Sequence, residues 1–206
     1  MAKADITTND GTPRAWQRML SGRRLDLLNP SPLDVEITDI AHGLARVARW
    51  NGQTKGIHAY SVAQHSLLVE QIYRHIETEP THETCLLALL HDAPEYVIGD
   101  MISPFKAVMG GHYEEIEERL QSAILMRFSL PTKIPAKVAK KIKQADRIAA
   151  FYEATYLAGF SEEEAVRYFN RPRDISPNLL DLKARPTAQV EGSFLSRFNE
   201  LQKGII

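Results

Sequence analysis

From residue 58 to residue 76 the chain reads HAYSVAQHSLLVEQIYRHI. His58, Val62, His65, Val69, Ile72 and Ile76 recur at alternating steps of four and three, which puts them on one face of a helix. That face is apolar apart from its histidines, so His65 is a polar group where a buried apolar one belongs. The same period recurs on both sides. Upstream, Ile37, Ile40, Ala41, Leu44, Val47 and Ala48 form a stripe that Asn51-Gly52 stops. Downstream, Thr81 can cap a third helix through Cys85 to Leu90, apolar nearly all round, as a helix in the middle of a bundle would be. Ile116, Leu120, Ile124 and Phe128 mark a fourth helix beginning near Tyr113. Val138, Ile142, Ala145, Ala149, Tyr152 and Tyr156 mark a fifth, from Pro135 to about Ala158. Ser161 and Glu164 make the capping box of a short sixth, and residues 191–203 a closing helix. Residues 13–20 read as a short helix, 23–34 as extended or turning, and 170–187 as irregular. No stretch of any length alternates at period two. The expectation is an all-α bundle, with residues 1–206 as one domain whose core spans about 23–160 and whose C-terminal extension is 161–206.

The composition narrows the function. Twenty-five Lys and Arg against 26 Asp and Glu leave a net charge of −1 over 206 residues, which disfavours duplex nucleic acid or an anionic membrane as the main partner. The basic cluster Lys133, Lys137, Lys140, Lys141 and Lys143 lacks interleaved aromatics and reads as a solvated face. A single cysteine, Cys85, rules out an intramolecular disulfide and suits a reducing, cytoplasmic compartment. No apolar run approaches the roughly 20 residues of a membrane span, and the polar start is not a signal peptide.

Four polar residues break the apolar pattern. His65 lies mid-stripe, His91 and Asp92 end the most apolar helix, and Asp146 follows Ile142 by four and precedes Ala149 by three. Each alone reads more simply as a hydrogen-bonded core residue or a cap. Together they offer two imidazoles and two carboxylates, a set suited to one divalent transition metal: Mn, Co, Fe, Ni or Zn. On an octahedral ion, four such ligands leave two positions for water and substrate. His91 and Asp92 point about 100° apart in a regular helix, and Pro94 can distort that helix enough to let them converge. Glu95, four residues after His91, is placed for proton transfer beside such a site.

This four-part pattern resembles the HD-domain metal-dependent phosphohydrolases. Arg49-Trp50, Ser61 to Ser66, His91-Asp92-Ala93-Pro94-Glu95, Gly99-Asp100 and Pro104-Phe105-Lys106 resemble its YfbR-like branch of 5′-deoxynucleotidases, over roughly residues 23–160. The resemblance implies an HD-domain bundle with a metal site between its central helices. His65, His91, Asp92 and Asp146 would hold the metal, and Glu95 would activate water. Arg49, Trp50, Asp100 and Lys106 would line the nucleotide pocket, with Arg49 as phosphate clamp and Trp50 as an aromatic wall.

The pattern departs from the branch at Gln64, where Glu usually precedes the first metal histidine. Tyr96 stands where alarmone hydrolases carry Asp after Glu, and no Gly-Tyr-Pro follows, which speaks against a cyclic dinucleotide phosphodiesterase. His58, read as lying on the metal helix, and His112 are the remaining histidines that could reach a second ion. The expected function is hydrolysis of nucleoside or deoxynucleoside 5′-monophosphates. A non-catalytic nucleotide sensor, a hydrolase of alarmones or nucleoside polyphosphates, and a di-iron oxygenase are the alternatives. A homodimer stays open.

Overall fold

A computed structural model describes residues 15–101, 111–173 and 175–205, with the backbone alone at 111 and 112. Helices dominate: α1 (Ile37–Leu44), α2 (Val62–Ile76), α3 (His82–Leu89), α4 (Glu95–Ile98), α5 (Gly111–Arg127), α6 (Ala136–Tyr156), α7 (Glu162–Phe169) and α8 (Thr187–Lys203). The only strands among the described residues, β1 (Trp16–Arg18) and β2 (Arg24–Asp26), pair as one antiparallel hairpin with Gln17 opposite Leu25. The all-α reading holds.

The helix starts follow local chemistry. The Ser61 hydroxyl accepts from the backbone N–H of Gln64 and opens α2 at Val62, so His58 lies in the loop before that helix and not on it. Thr81 with Thr84, and Ser161 with Glu164, close reciprocal capping boxes on α3 and α7. Pro186 opens α8 four residues ahead of the expected start. α1 ends at Leu44, earlier than its stripe suggests. Val47, Ala48 and Arg49 run on as extended chain against the segment before α2, through Arg49 N–H to the Tyr60 carbonyl (2.8 Å) and Val62 N–H to the Val47 carbonyl (3.0 Å).

Two further readings are corrected. Residues 16–18 are strand and not part of a short helix. Leu25 on the facing strand is fully buried, and Asp39 of α1 accepts from the Ser21 backbone (2.9 Å) and hydroxyl (2.5 Å), so tertiary anchoring decides this segment. Tyr156, expected to face inward, is half exposed at the end of α6.

At the centre α2 packs on α6, α3 and α8. Every residue from Cys85 to Leu90 is buried, as expected of a helix enclosed by others. α8 adds Val190, Phe194, Phe198 and Leu201 to the same apolar cluster, so the C-terminal helix completes the core. No described helix is long and apolar enough to cross a membrane.

Candidate metal centre

The polar exceptions meet where α2, the end of α3 and α6 face one another. Ser61 starts α2 so that His65 falls one turn inside it, fully buried. α3 stops at Leu89, and the chain continues through i→i−3 bonds: Ala93 N–H to the Leu90 carbonyl, Glu95 N–H to the Asp92 carbonyl. Those tighter turns bring Asp92 and Glu95 onto one side, because residues three apart eclipse in a 3₁₀ turn. α6 contributes Asp146 from its middle. One donor atom each from His65, His91 and Asp146 lies within 4.8 Å of the others. Asp92 Oδ2 stands 3.4 Å from His65 Nε2 and 3.2 Å from His91 Nε2, and Asp146 Oδ1 is 3.3 Å from His65 Nε2.

Both imidazoles are anchored from behind. His65 Nδ1 lies 2.6 Å from Glu153 Oε1, and His91 Nδ1 lies 2.9 Å from the Ala88 carbonyl oxygen, to which it donates. Neither buried Nε2 has a hydrogen-bond partner among the described residues. Two orphaned imidazole nitrogens beside two carboxylates, each ring held by its far nitrogen, are a donor set that fits a divalent metal.

The charge balance agrees. Asp92, Asp146, Glu95, Glu153 and Asp100 surround one guanidinium and two imidazoles. Burial and Arg49 oppose a charge on His65, but Glu153, Asp146 and Asp92 outweigh them and hold its pKa well above the usual histidine range. Burial, then Asp92 and Asp100, push Glu95 up to about 9. Against burial, His91 and His65 keep Asp92 well below the usual carboxylate range, and His65 lowers Asp146. Protons thus supply the positive charge that the cluster lacks. A dication would supply it better.

Beside the centre stands a corner built from residues 49–52. Trp50 (φ 57°) and Asn51 (φ 50°) are both left-handed, a conformation costing about 1–2 kcal/mol per non-glycine residue, so Arg49 and Trp50 sit in a tight turn and not at a helix end. Arg49 Nη1 donates to both oxygens of Asp100 (3.2 and 3.1 Å), and its Nε lies 3.4 Å from Glu153 Oε2. The Trp50 indole N–H donates to Glu153 Oε2 at 2.9 Å, while its ring meets Phe160 and Phe169 edge to face. Glu95 is buried, and its Oε2 has no hydrogen-bond partner among the described residues.

Lys106 lies outside the described residues, as does the side chain of His112. Gln64 turns away from the centre: its amide donates to the Lys183 carbonyl (3.0 Å) and accepts from Arg185 N–H (3.1 Å), tying the segment before α8 to α2. Glu153 is the residue that sequence reasoning missed. It is fully buried and follows Asp146 by seven residues, two helical turns on the same face of α6. That spacing was the available signal. Against its burial, His65 and Arg49 hold its pKa down to about 2.

Comparison with known proteins agrees with this geometry. Residues 38–166 match the 5′-deoxynucleotidase YfbR-like family. An uncharacterized protein of Rhodobacter capsulatus is 53% identical over 192 residues, covering 93% of this chain and 98% of its own length. The uncharacterized protein YfdR of Escherichia coli is 33% identical over 115 residues, 56% of this chain and 57% of its own. The matched segment spans more than half of the sequence and contains every residue of the cluster, and the chain belongs to the YfbR-like family of HD-type metal-dependent phosphohydrolases.

Proposed function

We propose that this protein hydrolyses the phosphomonoester of nucleoside or deoxynucleoside 5′-monophosphates, with one divalent transition metal held by His65, His91, Asp92 and Asp146. The observation that carries the reading is the convergence of two imidazole nitrogens, neither hydrogen-bonded among the described residues, with carboxylate oxygens of Asp92 and Asp146 that stand 3.2 to 3.4 Å from them. The match to the 5′-deoxynucleotidase YfbR-like family supports this choice of substrate class.

The metal supplies Lewis acidity toward the phosphoryl group and toward water. With the metal's positive charge beside it Glu95 would be ionised, and it takes the proton that the attacking water loses and returns it to the departing sugar 5′-oxygen as the P–O bond breaks. Its buried Oε2, without a hydrogen-bond partner among the described residues, suits that task. Arg49 offsets charge on the phosphate, and Asp100 keeps the guanidinium in place by gripping Nη1 with both oxygens. Trp50 and Asp100 are assigned to the sugar on the family resemblance of Arg49-Trp50 and Gly99-Asp100. Lys106 joins them on its sequence neighbourhood, Pro104-Phe105-Lys106. The buried thiol suits a cytoplasmic enzyme.

The test is phosphate release by metal-supplemented protein from ribo- and deoxynucleoside 5′-monophosphates, nucleoside triphosphates, guanosine tetraphosphate and p-nitrophenyl phosphate. The 5′-monophosphates should give the highest kcat/KM. Turnover confined to polyphosphates would make this a different hydrolase, and full metal with no turnover a sensor.

A further inference from the structure

Glu153 lies behind the centre and joins its two halves. One oxygen meets the metal-facing histidine, and the other meets the corner that carries Arg49 and Trp50. We propose that Glu153 is a positioning residue: it fixes which nitrogen of His65 carries the proton, and it holds that ring in register with the Arg49–Trp50 corner. The inference rests on the reading of the cluster as a metal site.

The argument is one of donors and acceptors. The Trp50 indole can only donate, so Glu153 Oε2 has to accept from it, with the Arg49 guanidinium 3.4 Å away as an ion-pair partner. An ionised carboxylate has no proton to give, so His65 Nδ1, 2.6 Å from Oε1, carries the hydrogen. His65 Nε2, the nitrogen that faces Asp92 and Asp146, is then the one that gives up its proton and offers a lone pair when a metal binds. The pair is completely buried, so water cannot substitute for either partner.

Glutamine has nearly the same shape but only one acceptor oxygen. With that oxygen kept on Trp50, its NH₂ faces His65 Nδ1 and demands a lone pair there. The imidazole proton moves to Nε2 and points into the centre, where it blocks ligation. With the amide flipped, NH₂ opposes the Trp50 N–H instead and leaves that donor buried and unsatisfied. Glu153→Gln therefore trades metal affinity against a buried polar conflict, and Trp50 decides the choice.

The experiment titrates metal-stripped wild type, E153Q and the double variant W50F/E153Q with Co²⁺ alone, by calorimetry. E153Q should bind about 10–100-fold more weakly than wild type, the usual cost of losing the partner behind a ligand. The double variant should regain part of that loss, because removing the indole N–H lets the glutamine oxygen turn to His65. A carboxylate that merely fills space predicts no such rescue. Equal Co²⁺ affinity for E153Q and wild type overturns the inference alone, and wild type that takes up no Co²⁺ overturns the metal site with it. Should E153Q not fold, ¹⁵N-histidine spectra of Zn²⁺-loaded wild type decide the matter. They should show His65 protonated at Nδ1 and ligated through Nε2, and the reverse assignment contradicts the inference.

Discussion

Gly43 of α1 lies so close to Tyr96 of α4 that a β-carbon at residue 43 would stand 2.7 Å from the Tyr96 carbonyl oxygen and 2.9 Å from its Cβ. The contact is with backbone and cannot be relieved by rotating a side chain. α4 begins at Glu95, so this close approach also sets where the buried carboxyl sits. Gly43→Ala should lose about 1–3 kcal/mol to overpacking, offset by the roughly 1 kcal/mol that alanine gains in a helix. Urea unfolding should show a net loss of stability, together with reduced turnover. Wild-type stability in G43A would mean that α1 and α4 can separate freely.

Glu95→Gln tests the proposed proton carrier. The side chain keeps its volume and its place in the buried wall, while the four proposed ligands are untouched. Co²⁺ binding should stay at the wild-type level, and turnover should fall by roughly 10²–10⁴-fold, the range for a general acid–base group. Stopped turnover with lost metal would instead make Glu95 part of the ligand set.

Gln64 departs from the Glu usual in the branch, and its amide explains why glutamine suits this chain. It donates to one backbone group of the 183–185 segment and accepts from another. Gln64→Glu sets a carboxylate against the Lys183 carbonyl and leaves two acceptors facing each other. The expected cost is about 1–3 kcal/mol, seen as a lower Tm. Limited proteolysis should cut earlier within residues 170–186. Unchanged Tm and cleavage would show that the segment does not depend on this amide.

Cys85 should be chemically silent. It is buried in α3, and its burial, with Glu70 beside it, pushes the thiol up to about 11. Native protein at pH 8 should resist iodoacetamide, while protein in denaturant should take up one equivalent. Rapid labelling of the native state would contradict the packing of α3 against α2 and α8.

The helices and the four proposed ligands were legible because both depend on local period. A polar residue on an apolar stripe betrays itself, as His65 and Asp146 do. What the sequence conceals depends on partners far along the chain. Glu153 lies in the run Ile148–Ala154, every residue of which is buried, and its meaning comes from His65 and Trp50, 88 and 103 positions away. The hairpin at 16–26 likewise rests on Asp39 reaching Ser21. Pro94 pointed to the right region for the break after α3. The chain leaves the helix earlier, at Leu90, and this frees both His91 and Asp92 to turn toward α2. In the left-handed pair Trp50-Asn51, Asn51 ahead of Gly52 is a turn signal, because asparagine enters that region more readily than most residues, while nothing in the sequence marks Trp50 for it.

The most direct test of the central claim follows phosphate release from deoxyadenosine 5′-monophosphate while metal-stripped protein is titrated with Mn²⁺ or Co²⁺. A site made by His65, His91, Asp92 and Asp146 predicts that the rate rises from near zero to a plateau at about one ion per chain. The same titration of Asp146→Ala should need far more metal and reach a much lower plateau. Phosphate release that is equally fast in the stripped protein, or a D146A curve superimposed on the wild-type one, would contradict the account.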